Sequence, residues 1–338
     1  MHAATIHAAG DIRWSDVPDP TIDAAHQAIV KVVAGCICGS DLWPYRGENP
    51  IVAGNTIGHE CVGVVEEVGA EVRSFRAGDL VIVPFCHSDN TCPHCRYGVT
   101  SACVNLGFTT SGQGEHALVQ QAEGSLVRVE ADPDPALLPS LLALSDVMPT
   151  GWHAAVAAGV RPGGTAVVVG DGAVGLCAVL AASRMGAERV IVMSRHASRQ
   201  AIARDFGATD VVAERGKEGA ARILDLTDGV GADAVLECVG TDQAMKTALK
   251  VCRPGGGVGF VGVPHGVELP VSKMFQRNIG LRGGMAPVRA YIPDLLASVV
   301  AGEINPGRVF DRVLPMSEVA EGYRAMDERR AVKVMLQP

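Results

Sequence analysis

Thr165-Ala166-Val167-Val168-Val169-Gly170-Asp171-Gly172-Ala173-Val174-Gly175 is a β-branched run that passes directly into a glycine-rich turn. The valines predict a strand over Thr165–Gly170, and the apolar stretch after the turn predicts a helix over Ala173–Met185. Gly-x-Gly-x-x-Gly alone is a weak signal, but between a strand and a helix it is the dinucleotide fingerprint. Gly170 makes the tight turn, Gly172 lets backbone approach a pyrophosphate, and Gly175 lets the helix pack closely on the sheet. With Ala173 and Val174 they form a candidate cofactor loop, its helix N-terminus facing phosphate charge.

Outward from this stretch the pattern repeats. Strands are predicted at Arg189–Met193, Asp233–Val239 and Gly257–Val263, with helices at Ser198–Phe206 and Thr241–Val251 between them. This alternation predicts an α/β fold with a doubly wound parallel sheet, a Rossmann cofactor domain over residues 149–287. The first ~130 residues read differently, as short strands broken by Gly and Pro (Ala28–Ala34, Cys61–Val68, Asp79–Pro84), a barrel-like β domain. After Pro287 come helices around Pro293–Ala301 and Ser317–Glu328 and a strand at Val332–Leu336. This tail is expected to return to the first domain, giving it residues 1–148 and 288–338.

Composition narrows the function classes. In 338 residues, 48% are hydrophobic and mean hydropathy is +0.21, so the chain builds well-buried cores. A net charge of −8 argues against a nucleic-acid surface, which needs clustered cations. No basic leader precedes an apolar core at the N-terminus and no run of about 18 apolar residues occurs, so a cytoplasmic chain without membrane contact is expected. In that compartment the ten cysteines read as thiols and metal ligands, not as a disulfide framework.

Cys92-x2-Cys95-x7-Cys103 is the spacing of a knuckle that presents thiolates to one tetrahedral ion. Asp89 continues the every-third-residue spacing and is favoured as the fourth ligand over Cys86, His87 and His94. Thiolate-rich, closed coordination predicts a structural zinc. At the end of the second cofactor strand, where NAD readers carry an acid, stands Ser194-Arg195-His196. A hydroxyl and a guanidinium suit a 2′-phosphate, so NADP(H) is expected. Cys38, His59 and Asp146 are ligand residue types, though a lone Cys or His is more often an ordinary buried residue.

Gly-Ser-Asp after Cys38, Gly58-His59-Glu60 with Gly63 and Gly69, the cysteine lobe, Asp146-x3-Thr150-Gly151, the fingerprint and Val261-Gly262-Val263-Pro264 occur in one order over nearly the whole chain. In this the sequence resembles the zinc-dependent medium-chain alcohol dehydrogenase family. The resemblance implies a GroES-like β-barrel catalytic domain and a catalytic zinc on Cys38, His59 and Asp146. Three protein ligands leave one corner of a tetrahedral ion open. It places Glu60 beside the metal as an occasional ligand, and has Ser40 contact the substrate oxygen and pass its proton outward. Thr150 packs on the nicotinamide, Val261 and Val263 orient its carboxamide, and Lys333 binds pyrophosphate. Ser194 and Arg195 match an NADP-selecting pair. Two departures stand out: Asp89 replaces the first of four cysteines, and Trp43 occupies the place of a proton-relaying histidine. Trp43 and Phe85 are expected to narrow an apolar substrate cleft.

The implied activity is hydride transfer between NADP(H) and an alcohol or its aldehyde or ketone, by a homodimer or homotetramer that pairs cofactor sheets through Ile279–Gly283. Competing readings are an NAD-dependent polyol or threonine-type dehydrogenase, a zinc-free quinone reductase and a non-catalytic NADPH-binding sensor. The zinc ligand types and Ser40 disfavour the last two.

Overall fold

The computed structural model describes residues 1–130 and 133–338. The chain forms two compact units, Met1–Asp146 with Pro287–Pro338, and Val147–Ala286.

In Val147–Ala286 the strand Thr165–Val169 lies at the centre, its Ala166 to Val169 buried as a parallel strand covered on both faces must be. It pairs in parallel with Arg189–Met193 on one side and Ala232–Glu237 on the other. Asp210–Val212, Cys252–Phe260 and Gly280–Gly283 complete a six-stranded sheet. By chain order the strands run 3-2-1-4-5-6. The order reverses at Thr165–Val169, and ligands of such sheets bind beyond the strand ends at that reversal. Val167, Ile191, Val235 and Val258 share one core with Ile223 and Met245 of the flanking helices.

Helices Ala173–Arg184, Ala197–Asp205 and Asp242–Val251 lie within a residue or two of expectation. The sequence reading passed over the strand Asp210–Val212 and the helix Gly216–Leu226. That helix carries Gly216 and Gly219, which weaken its propensity, and few of its residues are buried, so its apolar stripe is thin. The fifth strand begins at Cys252, five residues earlier than expected, because Pro254-Gly255-Gly256 reads as a break ahead of it.

In the other unit the strand Ala28–Cys36 organises the sheet. It pairs antiparallel with Cys61–Val68, His116–Val119 and Val334–Gln337. Leu80–Val83, Val127–Arg128 and Arg312–Pro315 extend the sheet to seven strands. A three-stranded sheet, Asp11–Asp16, His2–Ala8 and Asn55–Thr56, adds Ile6 and Ile12 to the same core as Val30, Val65 and Val81. The tail supplies helices Val288–Val300 and Val319–Asp327 and a strand whose Met335 faces Cys36. The first of these helices starts five residues before Pro293, which sits inside it. Among the described residues no helix is long and apolar enough to cross a membrane.

Glu237 closes the fourth cofactor strand. Its Oε1 accepts the N–H groups of Val239 and Gly240 at 2.9 and 2.8 Å, while Oε2 is buried without a partner. Burial raises the carboxyl's pKa, against the pull of those two backbone donors. The folded state therefore holds this proton to higher pH than the unfolded chain, so the stability contribution is complete below the ordinary glutamate range of about 4.3 and is lost as pH rises through the raised value. Glu237→Gln keeps the Oε1 acceptor and removes the buried charge. Its melting temperature is expected to match wild type in acid and to exceed it by a few degrees at neutral pH; parallel Tm–pH curves would show that Glu237 does not titrate in this way.

Candidate functional site

The first cluster follows from strand register. Ala28–Cys36 ends two residues before Cys38, Cys61–Val68 begins two residues after His59, and the strands pair with Gly35 opposite Cys61. Cys38 and His59 therefore emerge side by side. Gly58 takes φ +98°, and a Cβ there would collide with the Gln113 side chain, so the turn that presents His59 requires glycine. Asp146 arrives from beyond the helix Leu138–Ala143, its neighbour Ser145 accepting the Phe85 N–H at 3.0 Å. Donor atoms of Cys38, His59, Glu60 and Asp146 all lie within 4.8 Å of one another. Asp146 Oδ2 is 3.7 Å from Cys38 Sγ and 3.5 Å from His59 Nε2.

Asp41 orients this set. Its Oδ1 lies 3.3 Å from His59 Nδ1, and its Oδ2 accepts the Cys38 N–H and Gln113 Nε2–H, both at 2.9 Å. Gln113 is held in turn by Tyr323, whose buried hydroxyl donates to Oε1 at 3.0 Å. With Nδ1 directed at a carboxylate, the Nε2 lone pair is presented to the centre of the cluster, the arrangement that tunes a metal-binding histidine. The sequence reading missed Asp41, Gln113 and Tyr323. Asp41 could have been found in Cys-Gly-Ser-Asp; nothing local marks the other two.

Glu60 is fully buried, with Oε1 2.6 Å from Lys333 Nζ and Oε2 without a partner. Lys333, expected at a pyrophosphate, is 1% exposed and also donates to the Ile37 carbonyl at 3.2 Å. The last strand pairs beside Cys36, which turns the ammonium toward Glu60. The remaining electrostatics are those of a site short of positive charge. Burial, then the Glu60 charge, push the Cys38 thiol up. Burial also raises Glu60 despite Lys333. Burial opposes an imidazolium at His59, yet Asp41 and Cys38 outweigh it and raise that pKa well above the usual value. A cysteine, a histidine and a carboxylate crowded around one point, with an orphaned carboxylate oxygen beside them, fit a zinc ion.

Ser40 is partly exposed two residues past Cys38, and Trp43 is partly exposed on the short helix Leu42–Tyr45. Phe85 stands edge-on to the His59 ring at 6.1 Å between centroids.

The second cluster joins Asp89, Cys92, Cys95 and Cys103. Cys92 Sγ lies 3.5 Å from Cys95 Sγ and 3.9 Å from Cys103 Sγ. Hydrogen bonds from the Cys95 and Val104 backbone hold the Cys92 thiol down to about 7, whereas burial and the neighbouring thiols push Cys95 up to about 12. Asp89 Oδ1 also accepts the Thr91 and Cys92 N–H groups, shaping the knuckle. The competing ligands are placed elsewhere. His87 bonds Thr109 Oγ1 and the Gln120 N–H through its two nitrogens, His94 bonds the Ala102 carbonyl, and Cys86 lies on a short strand opposite Phe108 and outside the cluster. Three thiols and a carboxylate fit a structural zinc.

The glycine loop lies in the other unit. Gly170 has φ +119°, and a Cβ on Gly175 would strike the Gly170 carbonyl, whereas the space over Gly172 is open. Gly172 begins the helix Ala173–Arg184 with no side-chain cap, leaving its first N–H groups to an anion. The open space and the uncapped amides fit a dinucleotide pyrophosphate. Ser194 is buried and Arg195 exposed at the end of the second strand. Thr150 is buried on the helix Val147–Ala158; the Val261 N–H donates to the Glu237 carbonyl, and Val263 is exposed. Asp171, which the sequence reading quotes without a role, and Arg199, which it does not name, contact one another beside Ser194.

Comparison with known proteins agrees with this geometry. Residues 24–131 match the alcohol dehydrogenase GroES-like domain, and residues 173–301 match the zinc-binding dehydrogenase domain. A probable zinc-binding alcohol dehydrogenase of Mycobacterium tuberculosis is 36% identical over 96% of this chain and 84% of its own. A zinc-type alcohol dehydrogenase B of Aspergillus flavus is 32% identical over 99% and 81%. The alcohol dehydrogenase of Thermus sp. ATN1 superposes with a TM-score of 0.91 at 31% identity, over 100% of this chain and 99% of that one. Two metal-fitting clusters on a GroES-like unit and a glycine loop on a Rossmann sheet place the chain in the zinc-dependent medium-chain alcohol dehydrogenase family.

Proposed function

We propose that this zinc-type alcohol dehydrogenase is an NADP(H)-linked carbonyl reductase, acting on an aldehyde or ketone of medium size or on the corresponding alcohol. The cluster of Cys38, His59, Glu60 and Asp146 carries the reading, because three ligands with a movable fourth leave room for a substrate oxygen. Bound there, zinc supplies electrophilic assistance, polarising a carbonyl or acidifying an alcohol for hydride transfer with the nicotinamide.

The chain's own residues do the rest. Asp41 holds His59 in the tautomer that ligates, and Lys333 holds Glu60 within reach of the centre. Ser40 passes the substrate proton outward in alcohol oxidation and delivers one in carbonyl reduction; because the Trp43 indole does not exchange protons, the relay ends at Ser40, the cofactor ribose hydroxyl and water. Trp43 and Phe85 give the apolar walls. Ser194 and Arg195 select the 2′-phosphate, which favours reduction as the working direction. A homodimer or homotetramer through Ile279–Gly283 completes the reading.

Two experiments test it. Asp146→Asn should lower metal content at this site and cut carbonyl reduction at least about 100-fold, while NADPH binding followed by nicotinamide fluorescence stays nearly unchanged; unaltered kcat would remove Asp146 from the ligand set. For the cofactor, kcat/KM should favour NADPH over NADH, and Arg195→Ala should raise the KM for NADPH roughly tenfold with little effect on NADH. A wild type that prefers NADH would replace this reading with the NAD-dependent one.

A further inference from the structure

We propose that Asp171 is a built-in competitor of the 2′-phosphate and sets how strongly the chain discriminates NADPH from NADH; the inference rests on the nucleotide site proposed above. NAD readers carry an acid at the end of the second strand. Here that position is Ser194, and the acid comes from a different element, the middle of the glycine loop. Asp171 Oδ2 accepts the Ser194 hydroxyl at 2.9 Å, and Oδ1 accepts Arg199 Nη1 at 3.2 Å. The same nitrogen also donates to the Asp171 carbonyl at 3.3 Å. Gln200 fixes Ser194 from its other side, Nε2 donating to the Ser194 carbonyl at 2.8 Å.

A hydroxyl and a guanidinium are the donors that recognise a phosphate. In this chain both are turned onto a carboxylate that is 9% exposed. Arg199 sits in the first turn of Ala197–Asp205, where the helix's positive end disfavours a cation, and its ion pair with Asp171 offsets that cost. A 2′-phosphate entering beside Ser194 must take donors from Asp171 and meets that carboxylate's charge. A 2′-hydroxyl meets neither penalty, since it can donate to the carboxylate. Arg195, exposed next to Ser194, is left as the attraction that opposes Asp171.

The test uses the full-length, zinc-loaded chain and two adenosine probes without a nicotinamide, 2′,5′-ADP and 5′-AMP, titrated calorimetrically. Asp171→Asn removes the charge and turns one of the two acceptors into a donor in nearly the same shape, and Asp171→Ala removes the whole carboxylate and releases Ser194 and Arg199. In both variants the affinity for 2′,5′-ADP should rise in absolute terms and relative to 5′-AMP, the ratio by roughly tenfold in Asn and by less in Ala, while 5′-AMP, whose 2′-hydroxyl loses a carboxylate acceptor, binds up to a few-fold more weakly. The kcat/KM ratio of NADPH over NADH should rise with it. A ratio that stays at the wild-type value in both variants overturns the inference. So does 2′,5′-ADP binding that is unchanged or weaker in both, because Asp171 would then be shaping the loop instead of screening phosphate. The shift is read against wild type, so a wild type that prefers 5′-AMP and NADH defeats the NADP(H) reading alone, and the change on substitution still decides the role of Asp171.

Discussion

The antiparallel register that sets Gly35 opposite Cys61 is the constraint on which the metal site depends. It carries Cys38 and His59, twenty-one positions apart in the chain, out of adjacent strand ends at the same level. The register is itself defended by close packing: a Cβ at Gly35 would run into the Gly112 carbonyl, and one at Gly63 into the Lys31 carbonyl. A one-residue slip would send alternate side chains to the other face and separate the ligands. The last strand adds to the same edge, with Met335 opposite Cys36, and so delivers Lys333 to Glu60.

Electrostatics then explain the polar residues buried around the site. Asp41, Glu60, Asp146 and Cys38 crowd acidic groups into a poorly solvated space, against one ammonium and one imidazole. Such a set is costly without a cation, since buried charges need partners. Lys333 offsets part of the cost at Glu60, and the Asp41–Gln113–Tyr323 chain satisfies the oxygens that face away from the centre. These contacts fix the geometry of the ligands before any ion arrives, which is how a site keeps its shape with one position left for substrate.

Much of this was legible in the sequence. Thr165–Gly175 and the alternation after it were enough for the cofactor sheet, because parallel strands buried on both faces read as valine runs and a glycine turn has few other uses. The spacing of Cys92, Cys95 and Cys103 carried the second metal lobe. What failed did so for local reasons. The helix Gly216–Leu226 carries glycines and a thin apolar stripe, and Pro254-Gly255-Gly256 reads as a break although it lies in a strand. Residues that act through long-range contacts, Gln113 and Tyr323, carry no mark in a single sequence. The Lys333–Glu60 pair, 273 positions apart, depends on the pairing of the final strand and carries no mark in the sequence either. Asp171 was hidden inside a motif whose variable positions are usually ignored.

The central claim is that Cys38, His59 and Asp146 hold a zinc ion with one coordination position open to a substrate oxygen. A zinc anomalous difference map from crystals of the purified protein tests it most directly. The account predicts a peak about 2.3 Å from Cys38 Sγ and about 2.0–2.2 Å from His59 Nε2 and an Asp146 oxygen, with solvent or substrate as the remaining ligand. A peak confined to the Asp89–Cys92–Cys95–Cys103 lobe, or an ion at the first cluster that keeps four protein ligands in crystals soaked with substrate, would contradict it.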